Sequence, residues 1–194
     1  RPQIVTSRFQ YEDAHTIERF EATDGYRGLR AALEKTPEAM AEEVKNSTLL
    51  GRGGAGFPAG VKWGFTPQGV WPRYLVVNGD ESEPGTFKDR ALIDGDPFSL
   101  IEAMTVAAYA VGAENGWIFV RGEYPRSFER LSNAVQKARE AGYLGRNILG
   151  QQGFHFDIEM RLGAGAYICG EETALIEAIE GKRGFPRMKP PFPV

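Results

Sequence analysis

Residues 51–63, GRGGAGFPAGVKW, form a glycine-rich run with a cation and an aromatic residue at its far end. A segment with so few side chains cannot build a hydrophobic core. Its backbone can, however, approach a ligand closely and turn N–H groups toward an anion. The run therefore predicts a phosphate-binding loop. A flexible or tightly turned loop without a ligand is the alternative interpretation.

An acidic loop, NGDESEPGT, occupies residues 78–86 and follows a short apolar run. Its carboxylates could accept hydrogen bonds from ribose or ribityl hydroxyls or from a flavin ring. A solvated turn is the simpler interpretation. The spacing is not that of a calcium loop, and His15 and His155 are far away in sequence, so no metal site is predicted in this chain.

A second glycine-rich turn, GAGAYICG, occupies residues 163–170 and opens onto a predicted helix that starts with Glu171 and Glu172. Acids in a first helical turn can simply complement the helix dipole. Cys169 has no histidine near it in sequence, which favours a small buried side chain over a nucleophile.

Aromatic and cationic residues accompany these turns. Phe57, Phe65 and Phe192 stand in or beside glycine and proline turns, where they could either pack in the core or stack on adenine. Lys62 and Lys189 could be surface charges, although cations in such turns suit phosphates.

Two familiar nucleotide motifs fit poorly. Gly51, Gly53 and Gly56 match G-x-G-x-x-G, but the Rossmann fingerprint needs a buried strand just before it, and residues 46–50, NSTLL, make a weak strand. A P-loop needs Ser or Thr directly after its lysine, whereas Lys62 is followed by tryptophan.

Composition is that of an ordinary globular domain. The chain has 194 residues, 42% of them apolar, and a net charge of −3, which gives no reason to expect a nucleic-acid partner. A single cysteine excludes a disulfide framework or a multi-cysteine iron–sulfur site within this stretch and favours a reducing, cytoplasmic setting. The weakly polar run 103–113 is too short to span a bilayer, so no direct membrane insertion is expected.

The elements predicted around these motifs alternate between strand and helix. Residues 1–22 are predicted to be an extended lead-in, and strands are predicted near 74–78, 117–121 and 154–160. Helices are predicted from Asp24 to Glu34, from the Thr36 cap onward, from Asp96 to Val111, from Pro125 to Ala141, and from Glu171 to Ile179. This order predicts an α/β fold with a mostly parallel sheet. Ligands bind beyond the carboxyl ends of such strands, where the acidic loop and second glycine turn fall.

Taken together, the three blocks resemble the flavin-carrying, NADH-oxidising subunit of respiratory complex I and its relatives in NAD-linked hydrogenases and formate dehydrogenases. The resemblance runs from about Leu49 to Val194. It implies a modified Rossmann-like fold that holds FMN with NADH stacked over it. The domain division is then 1–48 for a lead-in with supporting helices and 49–194 for the FMN- and NADH-binding domain.

The same resemblance implies roles for individual residues. FMN would be held by Gly51, Arg52, Gly53, Gly54, Gly56, Lys62, Asn78, Asp80, Glu81, Ser82, Tyr167, Gly170, Glu171 and Glu172. NADH would lie against Phe57, Phe65, Glu83, Glu172, Lys189 and Phe192. No side chain is assigned as acid or base, because the flavin carries the chemistry.

The resemblance also implies partners. Electrons would leave to an iron–sulfur acceptor subunit of a larger complex, located in the cytoplasm or at the cytoplasmic face of the inner membrane through partner subunits. A ubiquitin-like domain and a helical iron–sulfur domain are expected only in a missing C-terminal part. Two alternatives stay open: a flavin- or nucleotide-binding module without turnover, and a conventional NAD-dependent Rossmann dehydrogenase.

Overall fold

The computed structural model describes residues 3–193. Positions 1 and 2 of the predicted lead-in and position 194 of the predicted FMN- and NADH-binding domain lie outside the described residues. The α-helices are α1 (Ile17–Ala22), α2 (Arg27–Leu33), α3 (Pro37–Asn46), α4 (Ala59–Trp63), α5 (Lys88–Gly95), α6 (Pro97–Val111), α7 (Pro125–Glu140) and α8 (Glu172–Ile179). The strands are β1 (Tyr74–Gly79), β2 (Asn115–Val120), β3 (Gly145–Arg146) and β4 (His155–Leu162). Short 3-10 helices cover Ser7–Gln10, Ile148–Gly150 and Tyr167–Gly170.

The strands form one sheet in the order β1-β2-β4-β3. β1, β2 and β4 are parallel, and only the two-residue β3 runs antiparallel, beside the start of β4. The predicted α/β class with a mostly parallel sheet is therefore confirmed. The parallel register aligns the last residues of three strands, Gly79, Val120 and Leu162, at one edge of the sheet.

The main core lies between one face of this sheet and the long helices. Ile118 and Val120 of β2 are fully buried together with Ile101 of α6 and Leu131 of α7. On the other face, Phe119 packs with Cys169 and with Leu175 of α8 in a smaller cluster. The cysteine is thus a buried packing residue, and burial raises the pKa of its thiol.

Several predicted helix signals are confirmed. The Thr36 hydroxyl accepts a hydrogen bond from the Ala39 N–H at the start of α3. Asp96 accepts one from the Ser99 N–H at the start of α6, and Gly112 ends that helix in the left-handed conformation with φ of +70°.

The predictions for the first 34 residues are partly wrong. Residues 17–22 form α1 rather than extended backbone; Thr16 caps this helix, and Phe20 is fully buried. Asp24 does not cap the next helix, since α2 begins only at Arg27 and Tyr26 precedes it in the left-handed conformation.

Two short helices further along the chain, α4 and α5, were not predicted.

Within residues 3–193, no helix is both long enough and apolar enough to cross a membrane.

Candidate functional site

The carboxyl edge of the sheet brings three loops side by side. The acidic loop follows β1, the turn 121–124 follows β2, and the second glycine turn follows β4. Because β1, β2 and β4 are parallel and adjacent, these loops leave the sheet in the same direction. The predicted convergence of the acidic loop and the second glycine turn therefore has a structural basis in strand order.

Direct contacts join the acidic loop to the second glycine turn. The Asn78 amide donates to the Gly170 carbonyl oxygen at 2.8 Å. A Cβ atom built on Gly170 would lie 3.3 Å from Asp80 Oδ2, so a larger residue there would push the Asp80 carboxylate slightly aside. These contacts bring together three of the predicted site residues.

Asp80 is held from several sides. Its N–H donates to Asn78 Oδ1 at 3.1 Å, and the Ser82 hydroxyl donates to Asp80 Oδ2 at 2.9 Å. Burial raises the pKa of Asp80, while the Ser82 hydrogen bond and the Arg121 charge act in the opposite direction. A half-buried carboxylate of this kind gains from further donors, such as ligand hydroxyls.

Glu81 has a different environment from the one expected for a flavin-contacting carboxylate. Its side chain is buried and accepts hydrogen bonds from the N–H groups of Asp89 and Arg90, at 2.8 and 3.1 Å, and from the Tyr124 hydroxyl at 3.2 Å. Glu81 thereby caps the N-terminus of α5. Its carboxylate is therefore engaged within the protein, and its backbone carbonyl oxygen accepts from Arg121.

The far end of the acidic loop meets the glycine turn through a second contact. The Tyr167 hydroxyl donates to Glu83 Oε2 at 2.6 Å, and this hydrogen bond raises the pKa of Tyr167. Both side chains are otherwise exposed. They are therefore in reach of a ligand lying over the loops.

The start of α8 holds the remaining predicted acids together with Lys189. Glu171 caps the helix, its Oε2 accepting from the N–H groups of Thr173 and Ala174, both at 2.9 Å. Lys189 Nζ lies 3.0 Å from Glu171 Oε1 and also pairs with Glu172. Although burial acts to raise it, the hydrogen bonds from Thr173 and Ala174 and the Lys189 charge lower the pKa of Glu171 to about 2.

The first glycine loop is a separate, open structure. Antiparallel contacts close its base, with the Gly51 N–H donating to the Phe57 carbonyl oxygen at 2.8 Å. Gly54 has φ of +114° and Gly56 of +63°, conformations that favour glycine. A Cβ atom on Gly53, Gly54 or Gly56 would meet nothing within 4 Å, so this backbone is open to a close-approaching ligand.

Four other predicted residues accompany this loop or lie on the surface. Lys62 is exposed on α4, and the exposed rings of Phe57 and Phe65 have centroids 6.0 Å apart. Phe192 is also exposed. For the part of the chain that the structure describes, no hydrogen bond joins the loop 51–57 to the acidic loop or to the second glycine turn. The meeting of all three motifs around one ligand therefore stays a prediction.

The conventional Rossmann alternative lacks its structural context. The G-x-G-x-x-G match at 51–56 lies between α3 and α4, and residues 47–50 before it form only an isolated bridge rather than a strand. A dinucleotide fingerprint requires a strand that leads directly into the glycine turn. This match is therefore not a Rossmann fingerprint.

A cleft of about 620 Å³ lies on the β4 side of the second glycine turn. Its lining includes Phe119, Leu162, Cys169 and Arg183, and none of the predicted site residues. Among residues 3–193, no cluster of three or more His, Cys, Asp or Glu side chains is placed to hold a metal ion.

Residues 121–124, Arg-Gly-Glu-Tyr, contact both loops of the candidate site although sequence reasoning did not single them out. Arg121 Nη1 donates to the Glu81 carbonyl oxygen at 2.6 Å. A Cβ atom on Gly122 would lie 2.5 Å from the Gly163 carbonyl oxygen, so the turn packs directly on the second glycine turn. The available signal was position: the segment directly follows a predicted central strand.

The fold and site define an α/β protein whose candidate ligand site lies on the strand ends, with a side-chain-poor loop suited to a phosphate. Comparison with known proteins identifies the family to which the chain belongs. Residues 44–194 match the family described as the Nuo51 FMN-binding domain, and the chain belongs to that family. The resemblance noted from the three motifs is thereby confirmed.

Relatives of this chain are subunits of larger enzymes. It is 54% identical over 191 residues to an NADH-quinone oxidoreductase subunit of Aquifex aeolicus, covering 98% of this chain and 45% of the relative. It is 50% identical to the NADP-reducing hydrogenase subunit HndC of Solidesulfovibrio fructosivorans, over 98% of this chain and 39% of the relative. The chain thus spans less than half the length of these relatives.

A solved structure shows the same fold. The crystal structure of an NAD⁺-reducing [NiFe]-hydrogenase in the air-oxidised state matches with a TM-score of 0.76 and 36% identity, over 100% of this chain and 30% of the matched chain.

Proposed function

We propose that this chain carries the flavin site of an NADH-oxidising flavoprotein, in which hydride passes from NADH to FMN and single electrons then leave to iron–sulfur clusters of a larger complex. The observation that carries the proposal is the packing of the acidic loop against the second glycine turn at the carboxyl edge of a parallel sheet. Membership of the FMN-binding family supports it.

The residues present fit FMN chemically. The open backbone at Gly53, Gly54 and Gly56 suits a phosphate, because nothing would obstruct its approach to the N–H groups. Arg52 and Lys62 add positive charge on the same loop and the helix after it. Asn78, Asp80 and Ser82 offer an amide and oxygen acceptors that suit ribityl hydroxyls and the flavin ring. Gly51, at the start of the glycine-rich run, is proposed to belong to the same phosphate-binding loop.

The second glycine turn would complete the flavin site. Tyr167, Gly170, Glu171 and Glu172 are proposed to close it from the side of α8. Glu81 is proposed to act through its backbone N–H, since its carboxylate is engaged by α5 and Tyr124 and its carbonyl oxygen by Arg121.

NADH is proposed to lie over the flavin. Phe57, Phe65 and Phe192 are exposed rings that could flank adenine, and Glu83, Glu172 and Lys189 are polar groups that could orient the dinucleotide. When bound, FMN supplies the acceptor for hydride and passes electrons on singly. The protein contributes orientation and electrostatics, and no side chain is assigned a proton-transfer role.

The test is anaerobic addition of NADH to the intact purified protein. The flavin absorption band is expected to be present before NADH is added and to bleach when NADH is mixed in. A flavin that binds but does not bleach would favour the alternative of a binding module without turnover. Absence of FMN from the purified protein, together with failure to rebind it, would contradict the proposal.

The parent assembly is also a proposal. Relatives named as quinone oxidoreductase and hydrogenase subunits support membership of a multisubunit complex. An iron–sulfur acceptor subunit within that complex is the proposed partner. Co-purification followed by identification of the partner chains tests this directly, and a cytoplasmic location, free or at the inner membrane through those partners, is expected.

A further inference from the structure

The turn between β2 and α7, residues 121–124, contacts both of the loops that form the candidate flavin site. It reaches the acidic loop through Arg121, whose Nη1 donates to the Glu81 carbonyl oxygen at 2.6 Å. Tyr124 reaches the same residue, its hydroxyl donating to Glu81 Oε2 at 3.2 Å. Gly122 lies against the second glycine turn, where an added Cβ would be 2.5 Å from the Gly163 carbonyl oxygen.

The Arg121 side chain is fixed in place by contacts in several directions. Besides the Glu81 carbonyl, its Nε donates to Glu123 Oε2 at 3.0 Å, and its guanidinium lies 5.1 Å from the centroid of the Tyr124 ring. Only 21% of the side chain is exposed. A planar group with several donors can hold such contacts simultaneously, which a lysine ammonium cannot do with the same geometry.

The Glu81 carbonyl lies in the acidic loop, so the Arg121 contact acts directly on that loop. Glu81 follows Asp80 directly, and Asp80 contacts Asn78, Ser82 and Gly170. Holding the Glu81 backbone therefore fixes the conformation of the segment that presents Asn78 and Asp80. The Arg121 charge also favours the ionised form of Asp80, against the effect of burial.

We propose that Arg121 is a positioning residue for flavin binding: it anchors the acidic loop on the end of β2 so that the amide and carboxylate of that loop face the cofactor. Gly122 and Tyr124 assist by fitting the turn against the second glycine turn and the Glu81 carboxylate. The inference rests on the proposed function, because the ligand whose affinity Arg121 supports is FMN.

The experiment measures FMN rebinding to the intact protein after the flavin has been removed. Arg121→Met is expected to weaken FMN affinity about tenfold to a hundredfold, the range for losing charge-assisted hydrogen bonds. Arg121→Lys is expected to recover part of the loss, since it keeps the charge and the N–H donors of one nitrogen, without the planar fork of the guanidinium. With FMN saturating, kcat for NADH oxidation is expected to stay within about twofold of wild type, because the proposed role of Arg121 is to position the loop that binds FMN.

The matched control is Arg139→Met. Arg139 also pairs with a carboxylate, Asp157, at 2.8 Å, but both side chains are nearly half exposed and lie on α7 and β4 away from the loops. Its FMN affinity is expected to equal that of wild type. If Arg121→Met does not fold, Tyr124→Phe and Arg121→Lys carry the test, with a severalfold loss of FMN affinity expected in each.

Three results would overturn the inference: wild-type FMN affinity in the folded Arg121 variants, an equal loss in Arg139→Met, or a more than tenfold fall in kcat at saturating FMN. The last would make Arg121 a catalytic rather than a positioning residue. These outcomes are distinct from failure of the proposed function, in which the wild-type protein itself would bind no FMN.

Discussion

Glu81 shows how a residue can belong to a binding loop without offering its side chain to the ligand. The residue is 5% exposed, and both carboxylate oxygens are occupied, by the α5 N-terminus and the Tyr124 hydroxyl. The side chain therefore stabilises the loop, and its carboxylate is not free to bind a ligand. The motif that includes Glu81 was predictable, but the direction of its side chain was not.

Replacing Glu81 with glutamine is expected to lower the free energy of unfolding by about 1–3 kcal/mol. One carboxylate oxygen becomes an amide nitrogen, which cannot accept from the N–H of Asp89 or Arg90. Urea denaturation of the flavin-free protein measures the change. Glu140→Gln, at an exposed ion pair with Lys137, serves as control and is expected to shift stability by less than about 0.5 kcal/mol. Equal effects of the two changes would contradict this role for Glu81.

Glu83 is proposed to set the preference for NADH over NADPH, because a carboxylate beside the adenosine ribose repels a 2′-phosphate. Glu83→Gln is expected to reduce the ratio of kcat/KM for NADH to that for NADPH about tenfold, which corresponds to about 1.4 kcal/mol. Steady-state kinetics with both nucleotides measures it.

Tyr167→Phe is the matched comparison for Glu83→Gln, since it removes the hydrogen bond between these two residues but keeps the charge. Its nucleotide preference is expected to stay close to wild type. An unchanged preference in Glu83→Gln would remove Glu83 from the specificity assignment.

Helix capping explains much of what sequence reasoning missed at the level of elements. The N-terminus of α2 is capped by Glu102 of α6, whose carboxylate accepts from the N–H groups of Tyr26 and Leu29 at 3.1 and 2.9 Å. The N-terminus of α5 is capped by Glu81 from the acidic loop. In both helices the cap comes from elsewhere in the chain, so no local capping signal marks the start. By contrast, Thr36 and Asp96 cap their own helices, and those starts were predicted.

The cap of α8 predicts a pH dependence of stability. The pKa of Glu171 falls from its ordinary 4.5 to about 2 in the folded protein. A depressed folded-state pKa contributes stability above pH 4.5, and this contribution is lost as the pH falls toward 2. The free energy of unfolding of wild type is therefore expected to exceed that of Glu171→Gln by about 1–3 kcal/mol at neutral pH, with the difference shrinking as the pH falls and vanishing below pH 2.

Chemical denaturation of the flavin-free protein at several pH values measures this difference. Glu180→Gln is the comparison: Lys182 and Arg187 also lower the pKa of Glu180, but its side chain is more exposed, so a smaller change of the difference with pH is expected. A gap between wild type and Glu171→Gln that does not change with pH would mean that the carboxylate charge does not stabilise the helix start.

For the whole molecule, the apolar runs at 74–78 and 117–121 and the alternating strand after Phe154 were enough to predict a parallel sheet, since buried strands separated by helices leave few other arrangements. The sheet then places the acidic loop and the second glycine turn together. The position of the first glycine loop was not predictable in the same way. It depends on close packing of α4 on α3, where a Cβ on Gly60 would lie 2.3 Å from the Lys45 Cα.

The measurement that tests the central claim most directly is an experimental structure of the intact protein with FMN bound. We expect one flavin at the carboxyl edge of the sheet, with its phosphate against the backbone of residues 51–56 and its ribityl chain within hydrogen-bonding distance of Asn78 and Asp80. A flavin bound instead in the cleft lined by Phe119, Leu162 and Arg183, or bound without contact to the acidic loop, would contradict the account.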